Sequence, residues 1–218
     1  MPLAIFDLDE TLISADSDHC WGEFVIRKGL VEESAHRALN NQFYNDYRAG
    51  CLDIDAYMRF SCSVLANTDP KQLITLREEF VAQEIKPLVQ SGAVELVESH
   101  RRAGDTLMII TATIEFITRP IADLFGIDTL IAPIPEIRDG RYTGELSGIP
   151  SFREGKVIRL NDWLKDNPSS LVGSYFYSDS INDLPLLELV DNPTAVNPDE
   201  SLQTVAEKRG WQILNFRT

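Results

Sequence analysis

The chain has few cysteines and few histidines, and it contains no long run of apolar or of basic residues. Its three cysteines, Cys20, Cys51 and Cys62, share no metal-type spacing, which argues against a disulfide framework and against a zinc site. The apolar stretches fall well short of the roughly 20 residues that span a bilayer, and the first residues lack the charge and size pattern of a signal peptide. We therefore expect a cytoplasmic protein with reduced thiols.

Positive charge is also scarce. The sequence has 20 Lys and Arg residues against 34 Asp and Glu residues, which gives a formal net charge of −14. Because no cluster of basic residues offsets this charge, nucleic acid and anionic membranes are excluded as expected partners. The remaining composition, 44% hydrophobic in 218 residues, suits one large domain or one domain with a smaller insert.

Short apolar runs alternate with helix-like segments along most of the chain. The runs are apolar throughout rather than alternating, which is typical of strands buried on both faces of a parallel sheet. We therefore predict an α/β fold with a doubly wound, mostly parallel sheet. The expected strands are 3–6, 106–110, 129–132, 173–177 and 194–196, and the expected helices between them are 92–103, 115–125, 155–166, 183–190 and 198–209.

Two intervals depart from this alternation. Residues 15–86 contain no convincing strand and have the apolar spacing of four amphipathic helices, as in the i, i+3, i+4 set Trp21, Phe24 and Val25. Residues 134–146 contain Asp139-Gly140, a dipeptide that favours the turn of a β-hairpin. We predict a core of residues 1–14 and 87–218 and a helical cap domain of residues 15–86.

Acidic residues follow two of the expected strands. The first strand runs directly into Asp7 and Asp9 in "AIFDLDETLIS", and the fourth core strand runs into Asp179 and Asp183 in "FYSDSINDLPLL". The carboxyl ends of parallel strands meet at one edge of a sheet, where such folds bind ligands. A solvated turn or a helix cap would account for the first pair taken alone. Both pairs together in one cleft repel each other and therefore predict a bound divalent cation, for which we expect Mg²⁺.

Two more residues lie at the same edge of the expected sheet. Thr111 ends the strand in "LMIITAT", and Lys156 begins a helix in "REGK". A hydroxyl group and an ammonium group at these places could bind phosphate oxygens. Each taken alone is more commonly a helix cap or a solvated surface charge.

Taken in order, these segments resemble the four motifs of the haloacid dehalogenase superfamily. The resemblance covers essentially the whole chain, and the insert after the first motif resembles the cap (type C1) of the phosphoserine phosphatase-like branch. Two positions depart from the common pattern, because Glu10 and Ser178 stand where smaller residues are frequent. The matching segments are Asp7-Leu8-Asp9-Glu10-Thr11, Thr111, Lys156 and Ser178-Asp179-Ser180-Ile181-Asn182-Asp183.

The resemblance implies a Rossmann-like core and a role for each matching residue. Asp7 would be the nucleophile that forms an aspartyl-phosphate, and Asp9 would be the general acid and base, which favours a phosphatase. Mg²⁺ would be held by Asp7, the backbone carbonyl of Asp9 and Asp179, with Asp183 as a further ligand or as an orienting group. Phosphate would be bound by Thr111, Lys156 and the backbone of Leu8.

The cap should select the substrate, a small-molecule phosphomonoester. Asp16 lies where phosphoserine phosphatases carry the acidic residue that binds the substrate amine, and Asp18 follows it. Arg59 is a candidate partner for a substrate carboxylate. The stretch "SADSDHCWGEF" resembles a bacterial subgroup that includes histidinol-phosphatase-type members, so L-histidinol phosphate is the expected substrate. Alternatively, Asp16 only caps the first cap helix.

Other functions stay open at this point. A phosphoserine phosphatase, a phosphatase of broad metabolite range and a phosphotransferase share the same motifs. A protein that binds phosphate without hydrolysing it, or a receiver-like regulatory module, is the alternative of a different class. Asp9 and the large insert argue against a receiver, which needs no leaving-group acid. The pattern is compatible with a monomer or a homodimer.

Overall fold

The computed structural model describes residues 2–167 and 169–217. In these ranges, six parallel strands form one sheet in the order β3-β2-β1-β6-β7-β8, and β4 and β5 form a separate antiparallel hairpin. This arrangement confirms the α/β class with a parallel sheet. The strands are β1 (Leu3–Phe6), β2 (Thr106–Ile110), β3 (Thr129–Ile131), β4 (Ile134–Arg138), β5 (Arg141–Ser147), β6 (Tyr175–Ser178), β7 (Asn192–Val196) and β8 (Gln212–Leu214).

Helices cover both faces of the sheet and build the cap. Residues 17–80 hold four helices between β1 and β2, as the apolar spacing predicts. Acidic residues cap several of their N-termini, because a carboxylate accepts the free N–H groups of the first turn. The helices are α1 (Ser17–Arg27), α2 (Glu33–Arg48), α3 (Ile54–Ala66), α4 (Pro70–Phe80), α5 (Ser91–Ala103), α6 (Glu115–Leu124), α7 (Glu154–Asp166), α8 (Leu184–Leu187) and α9 (Glu200–Arg209).

Central strand β1 is buried on both of its faces. Phe6 packs with the apolar side chains of the cap and of α5, while Leu3 and Ile5 pack with α7, α8 and α9 on the other side. This double burial explains the continuous apolar run before Asp7.

No helix within residues 2–167 and 169–217 is both long and apolar enough to cross a bilayer.

Some boundaries differ from the sequence-based prediction. The strand expected at 173–177 begins only at Tyr175, because Gly173 adopts a φ of +72° in the preceding turn. The helix expected at 183–190 is a 3₁₀ turn at 181–183 followed by the short α8. The sequence does not predict strand β8, since its three residues form only an edge.

The predicted hairpin is present and packs against the helical insert. Asp139 and Gly140 have φ values of +50° and +74°, as the expected turn requires. Strand β5 packs along α3, and the Cβ of Ala66 lies 3.5 Å from the position that a Cβ on Gly144 would take. The hairpin therefore packs against the helical insert and lies outside the parallel sheet.

Candidate active site

Lys156 joins the two acidic segments at the end of the sheet. Its ammonium group donates hydrogen bonds of 2.8 Å to Asp7 Oδ1 and 2.7 Å to Asp183 Oδ2. The lysine is 1% exposed and Asp7 is 4% exposed, so these charges are almost fully removed from water. Burial alone would lower the pKa of Lys156, but the charges of Asp183 and Asp7 raise it above its ordinary value. Lys156 is therefore a permanently charged group at the base of the site.

The late acidic segment is tied to the first one by a second contact. Thr11 Oγ1 donates a hydrogen bond of 3.1 Å to Asp179 Oδ1. Ser178, which departs from the common family pattern, donates from its hydroxyl to Asp183 Oδ2 at 2.7 Å. Since the same oxygen of Asp183 also accepts from Lys156, this carboxylate is bound to protein groups, whereas Asp179 lines the cleft.

Asp9 is held by one donor on each carboxylate oxygen. The backbone N–H of Ser17 lies 2.7 Å from Oδ1, and Thr113 Oγ1 lies 2.8 Å from Oδ2. Burial raises the pKa of Asp9, and these hydrogen bonds partly offset the rise. A carboxyl group with a raised pKa at a fixed position is suited to transfer a proton near neutral pH.

The donor set fits a divalent cation. Burial raises the pKa of Asp7 to about 7 in spite of Lys156, and burial together with the charges of Asp7 and Asp183 raises the pKa of Asp179 well above its ordinary range. A hard cation beside these oxygens would keep both carboxylates ionised. No group of three or more His, Cys, Asp or Glu side chains in the described part of the chain could hold a metal by itself. Mg²⁺ is commonly bound by one or two carboxylates together with water and substrate phosphate, so such a group is not required.

Thr111 lies beside this cluster, at the end of β2. Its Oγ1 accepts a hydrogen bond of 3.1 Å from the backbone N–H of Thr113, so its own hydroxyl proton stays available for a ligand. Leu8, also expected to bind phosphate, is fully buried and is not among the residues that line the cleft. The structure therefore brings Asp7, Asp9 and Thr111 to one cleft.

Helix α2 supplies aromatic side chains to one side of this cleft. Two tyrosines and a phenylalanine of α2 face the site, and the His19 ring lies 4.8 Å from the Tyr44 ring, centroid to centroid. Arg48 in the last turn of α2 is the basic side chain among the cleft-lining residues. The lining residues are Asp7, Asp9, Glu10, Asp16, His19, Asn40, Phe43, Tyr44, Tyr47, Arg48, Leu52, Tyr57, Thr111, Ala112, Thr113 and Asp179.

The three residues expected to select the substrate lie in different places. Asp16 lines the cleft and also caps α1, accepting from the backbone N–H of His19 at 2.8 Å. Asp18 does not line the cleft: it is 5% exposed and accepts hydrogen bonds from Tyr57 and Ser61 of α3. Arg59 is exposed on α3 and is absent from the cleft lining. Of the three, Asp16 alone reaches the cleft, so Asp18 acts within the cap and Arg59 lies apart from the site.

Sequence reasoning missed Thr113, Tyr44, Tyr47 and Arg48. Thr113 follows Thr111 by two residues, a spacing that could have suggested a second hydroxyl group at the end of the strand. The three α2 residues carry no local signal, because only the packing of the cap over the sheet brings them to Asp7.

Comparisons with known proteins identify a family and several relatives of this chain. Residues 4–188 match the family model of haloacid dehalogenase-like hydrolases. The chain is 48% identical to a histidinol-phosphatase of Neisseria meningitidis serogroup C, over 99% of both chains. The crystal structure of a Bordetella pertussis protein of unknown function superposes with a TM-score of 0.93 at 44% identity, over 99% of both chains. A phospho-aspartyl intermediate analogue of phosphoserine phosphatase shares the fold, with a TM-score of 0.69 at 18% identity over 99% of this chain and 93% of that one.

The family match spans most of the chain and includes both acidic segments, Thr111 and Lys156. The parallel sheet with its flanking helices is the fold that the resemblance of the motifs implies. The chain belongs to the family of haloacid dehalogenase-like hydrolases.

Proposed function

We propose that the protein, a phosphatase of this family, is a Mg²⁺-dependent hydrolase of small amine-bearing phosphomonoesters and that its substrate is L-histidinol phosphate. The observation that carries the proposal is the cleft itself, which has Asp7 and Asp9 at its base, aromatic side chains on its walls and Asp16 at its side. The 48% identity to a histidinol-phosphatase over 99% of both chains supports this choice of substrate.

In the first step, a carboxylate oxygen of Asp7 attacks phosphorus. One Asp7 oxygen accepts from Lys156, and no hydrogen bond within residues 2–167 and 169–217 reaches the other, which we assign as the attacking atom. The bond from phosphorus to the leaving oxygen breaks as the new bond forms, giving an aspartyl-phosphate. Asp9 gives its proton to the leaving alkoxide, a transfer typically worth roughly 10² to 10⁴ in rate.

In the second step, water attacks the phosphorus of the aspartyl-phosphate. Asp9, now ionised, accepts the proton of this water, and inorganic phosphate leaves as Asp7 is restored. The two hydrogen bonds from Ser17 and Thr113 hold Asp9 in one orientation for both transfers. Asp9 thus returns to its starting protonation state in each cycle.

Lys156 and Thr111 bind the phosphoryl group. An ammonium group has three donors, and Lys156 uses two of them on Asp7 and Asp183, so the third can reach a phosphoryl oxygen. Thr111 contributes its hydroxyl proton, and the backbone N–H of Leu8 is a further donor. Mg²⁺, held by the carboxylates of Asp7 and Asp179 and by the Asp9 carbonyl, would supply the charge that neutralises the phosphoryl oxygens.

The cap side of the cleft binds the leaving group. Tyr44, Tyr47 and Phe43 offer flat apolar surfaces on which an imidazole ring can stack, and a protonated ring gains further from the aromatic faces. Asp16 pairs with the substrate amine, because it is the cap carboxylate that reaches the cleft. A ring and an amine on one phosphomonoester are the features of L-histidinol phosphate.

A phosphate ester that carries a carboxylate, such as phosphoserine, is the second candidate. Arg48 favours it, since this side chain lines the cleft and could pair with a carboxylate. Replacement of Arg48 by Gln separates the candidates. It should lower kcat/KM for phosphoserine and leave that for L-histidinol phosphate within about 3-fold, because the latter has no carboxylate.

The proposal is tested by kcat/KM for L-histidinol phosphate, phosphoserine, phosphoethanolamine and p-nitrophenyl phosphate, each with Mg²⁺ and with EDTA. We expect L-histidinol phosphate to be the best substrate and EDTA to abolish turnover. Asp7→Asn should abolish activity, whereas Asp123→Asn, on the exposed surface of α6, should not. If L-histidinol phosphate is no better than the aryl ester, the substrate assignment is wrong, and if Asp7→Asn stays active, the nucleophile assignment is wrong.

A further inference from the structure

Glu10 turns the backbone sharply just after Asp9, the residue to which the proposed function gives the proton transfers. Its φ is +56°, in the left-handed region that residues other than glycine seldom adopt. Backbone of this kind persists only where the surroundings hold it in place. The groups that hold Glu10 therefore also determine where Asp9 lies.

Two buried side-chain amides bind the backbone carbonyl groups of this turn. Asn197 Nδ2 lies 3.1 Å from the carbonyl oxygen of Glu10, and Gln90 Nε2 lies 3.0 Å from that of Thr11. The amides also bind each other, with 3.3 Å from Asn197 Nδ2 to Gln90 Oε1. Asn197 is 4% and Gln90 is 7% exposed, so water cannot easily replace either one. We call these two side chains, which together hold the loop that follows Asp9, the amide bracket.

Residues 215–217 close the amide bracket from outside. The backbone N–H of Phe216 donates to Asn197 Oδ1 at 2.7 Å, which leaves the amide nitrogen of Asn197 to face Glu10. Arg217 pairs with the Glu10 carboxylate at 2.6 Å, so Glu10 is held through its side chain as well. Asn197 itself has a φ of +47°, a conformation that asparagine tolerates better than most residues. The position therefore suits asparagine in both backbone and side chain.

The backbone of Glu10 and Thr11, which the amide bracket holds, connects two parts of the candidate active site. On one side they follow Asp9 directly, and on the other they lead to Thr11, whose hydroxyl holds Asp179 at 3.1 Å. A shift of these units would move the Asp9 carboxylate relative to the leaving group. Misplacement of a reacting group by about 1 Å can cost on the order of 10²-fold in rate.

We infer that Asn197 and Gln90 are positioning residues for the proton transfer by Asp9, acting through the carbonyl groups of Glu10 and Thr11. The inference rests on the proposed function, in which Asp9 protonates the leaving alkoxide. Loss of the amide bracket should therefore slow esters with a poor leaving group more than esters with a good one, since a phenolate leaves without a proton.

The test compares Asn197→Asp with the matched control Asn192→Asp at the other end of β7. The substitution Asn197→Asp keeps the oxygen for Phe216 and tolerates the positive φ, but it removes the donor to Glu10. Asn192 donates to Ser174 O at 3.2 Å, away from the cleft. For Asn197→Asp we expect kcat/KM to fall by about 10-fold or more for an alkyl phosphate and by less than about 3-fold for p-nitrophenyl phosphate. Gln90→Met should act in the same direction, and Asn192→Asp should preserve the ratio between the two esters.

A second readout requires no substrate. The N–H groups of Glu10 and Leu12 donate within the loop, to Ala15 O at 3.2 Å and Leu8 O at 2.9 Å. Their hydrogen exchange should be faster by about 10-fold or more in both bracket variants and unchanged in Asn192→Asp. If the wild type hydrolyses no phosphomonoester, the proposed function fails, while exchange still reports on the anchoring. Equal losses for both esters, or unchanged exchange in folded Asn197→Asp and Gln90→Met, would overturn the inference.

Discussion

Thr113 donates a hydrogen bond of 2.8 Å from its hydroxyl group to Asp9 Oδ2. Together with the backbone N–H of Ser17 on the other oxygen, it fixes the carboxylate that the proposed reaction uses twice. Thr113 lies beyond β2 and Asp9 beyond β1, so the contact depends on the parallel pairing of these strands. The orientation of Asp9 is thus a consequence of the sheet as well as of its own loop.

Replacement of Thr113 by Val should lower activity and shift its pH dependence. The hydrogen bond lowers the pKa of Asp9, so its loss raises that pKa further. The basic limb of the kcat/KM profile, where Asp9 must be protonated, should move to higher pH, and kcat should fall by about 10-fold. Thr118→Val is the control, because Thr118 is buried but donates to the carbonyl oxygen of Ile114, the residue just before α6. An unshifted profile in Thr113→Val would show that the hydrogen bond from Thr113 does not influence the pKa of Asp9.

Mg²⁺ should stabilise the protein more at pH 8 than at pH 5.5. Burial raises the pKa of Asp7 from its ordinary 3.8 to about 7, so between these values the folded protein binds more protons than the unfolded chain. The metal-free protein therefore loses stability as pH rises through this window. Mg²⁺ binds the ionised carboxylates and should reverse the loss. The melting temperature in EDTA and in Mg²⁺ at both pH values checks this, and a Mg²⁺ effect that is larger at pH 5.5 would contradict it.

Replacement of Asp16 by Asn should change substrate selectivity and leave the cap helix intact. Asparagine caps helices about as well as aspartate, so α1 keeps its hydrogen bond to the His19 N–H. The negative charge toward the substrate amine is lost. We expect kcat/KM to fall by about 10-fold or more for L-histidinol phosphate and far less for p-nitrophenyl phosphate. Asp53→Asn at the exposed N-terminus of α3 is the matched control. Equal effects on the two esters would restrict Asp16 to helix capping.

Replacement of Asp18 by Ala should weaken the cap instead. Its buried carboxylate accepts from Tyr57 and Ser61, and its loss leaves two hydroxyl groups of α3 without this acceptor. The expected cost is about 1 to 3 kcal/mol of unfolding free energy, measured by urea denaturation. The ratio of kcat/KM for L-histidinol phosphate to that for p-nitrophenyl phosphate should stay near the wild-type value. A selective loss of the amine-bearing ester would show that Asp18 contacts the substrate.

The sequence is sufficient to predict the elements whose signal is local. Strand β1 is apolar throughout because both of its faces are buried, and the hairpin turn carries Asp139-Gly140, whose positive φ values the structure confirms. The four cap helices have regular apolar spacing and acidic N-caps. The three-residue strand β8 has too few residues to show a periodicity.

The parts of the site that depend on packing cannot be predicted in this way. The sequence suggests Arg59 as a substrate contact. In α3, however, Met58 and Cys62 are buried, Phe60 is half-buried and Arg59 faces solvent. Arg48 reaches the cleft because α2 ends beside it. Glu10 lines the cleft and pairs with Arg217. A partner more than 200 residues along the chain leaves no signal near Glu10.

The most direct measurement is the burst of p-nitrophenolate released from p-nitrophenyl phosphate by the Asp9→Asn variant. This leaving group needs no proton, so Asp7 should still be phosphorylated, whereas the aspartyl-phosphate should persist because no base activates water. We expect about one p-nitrophenolate per active site followed by very slow turnover, and no burst in the double variant Asp7→Asn, Asp9→Asn. A burst that survives in the double variant would contradict the central claim that Asp7 carries the phosphoryl group, and steady turnover by Asp9→Asn at the wild-type rate would contradict the role of Asp9 as the base.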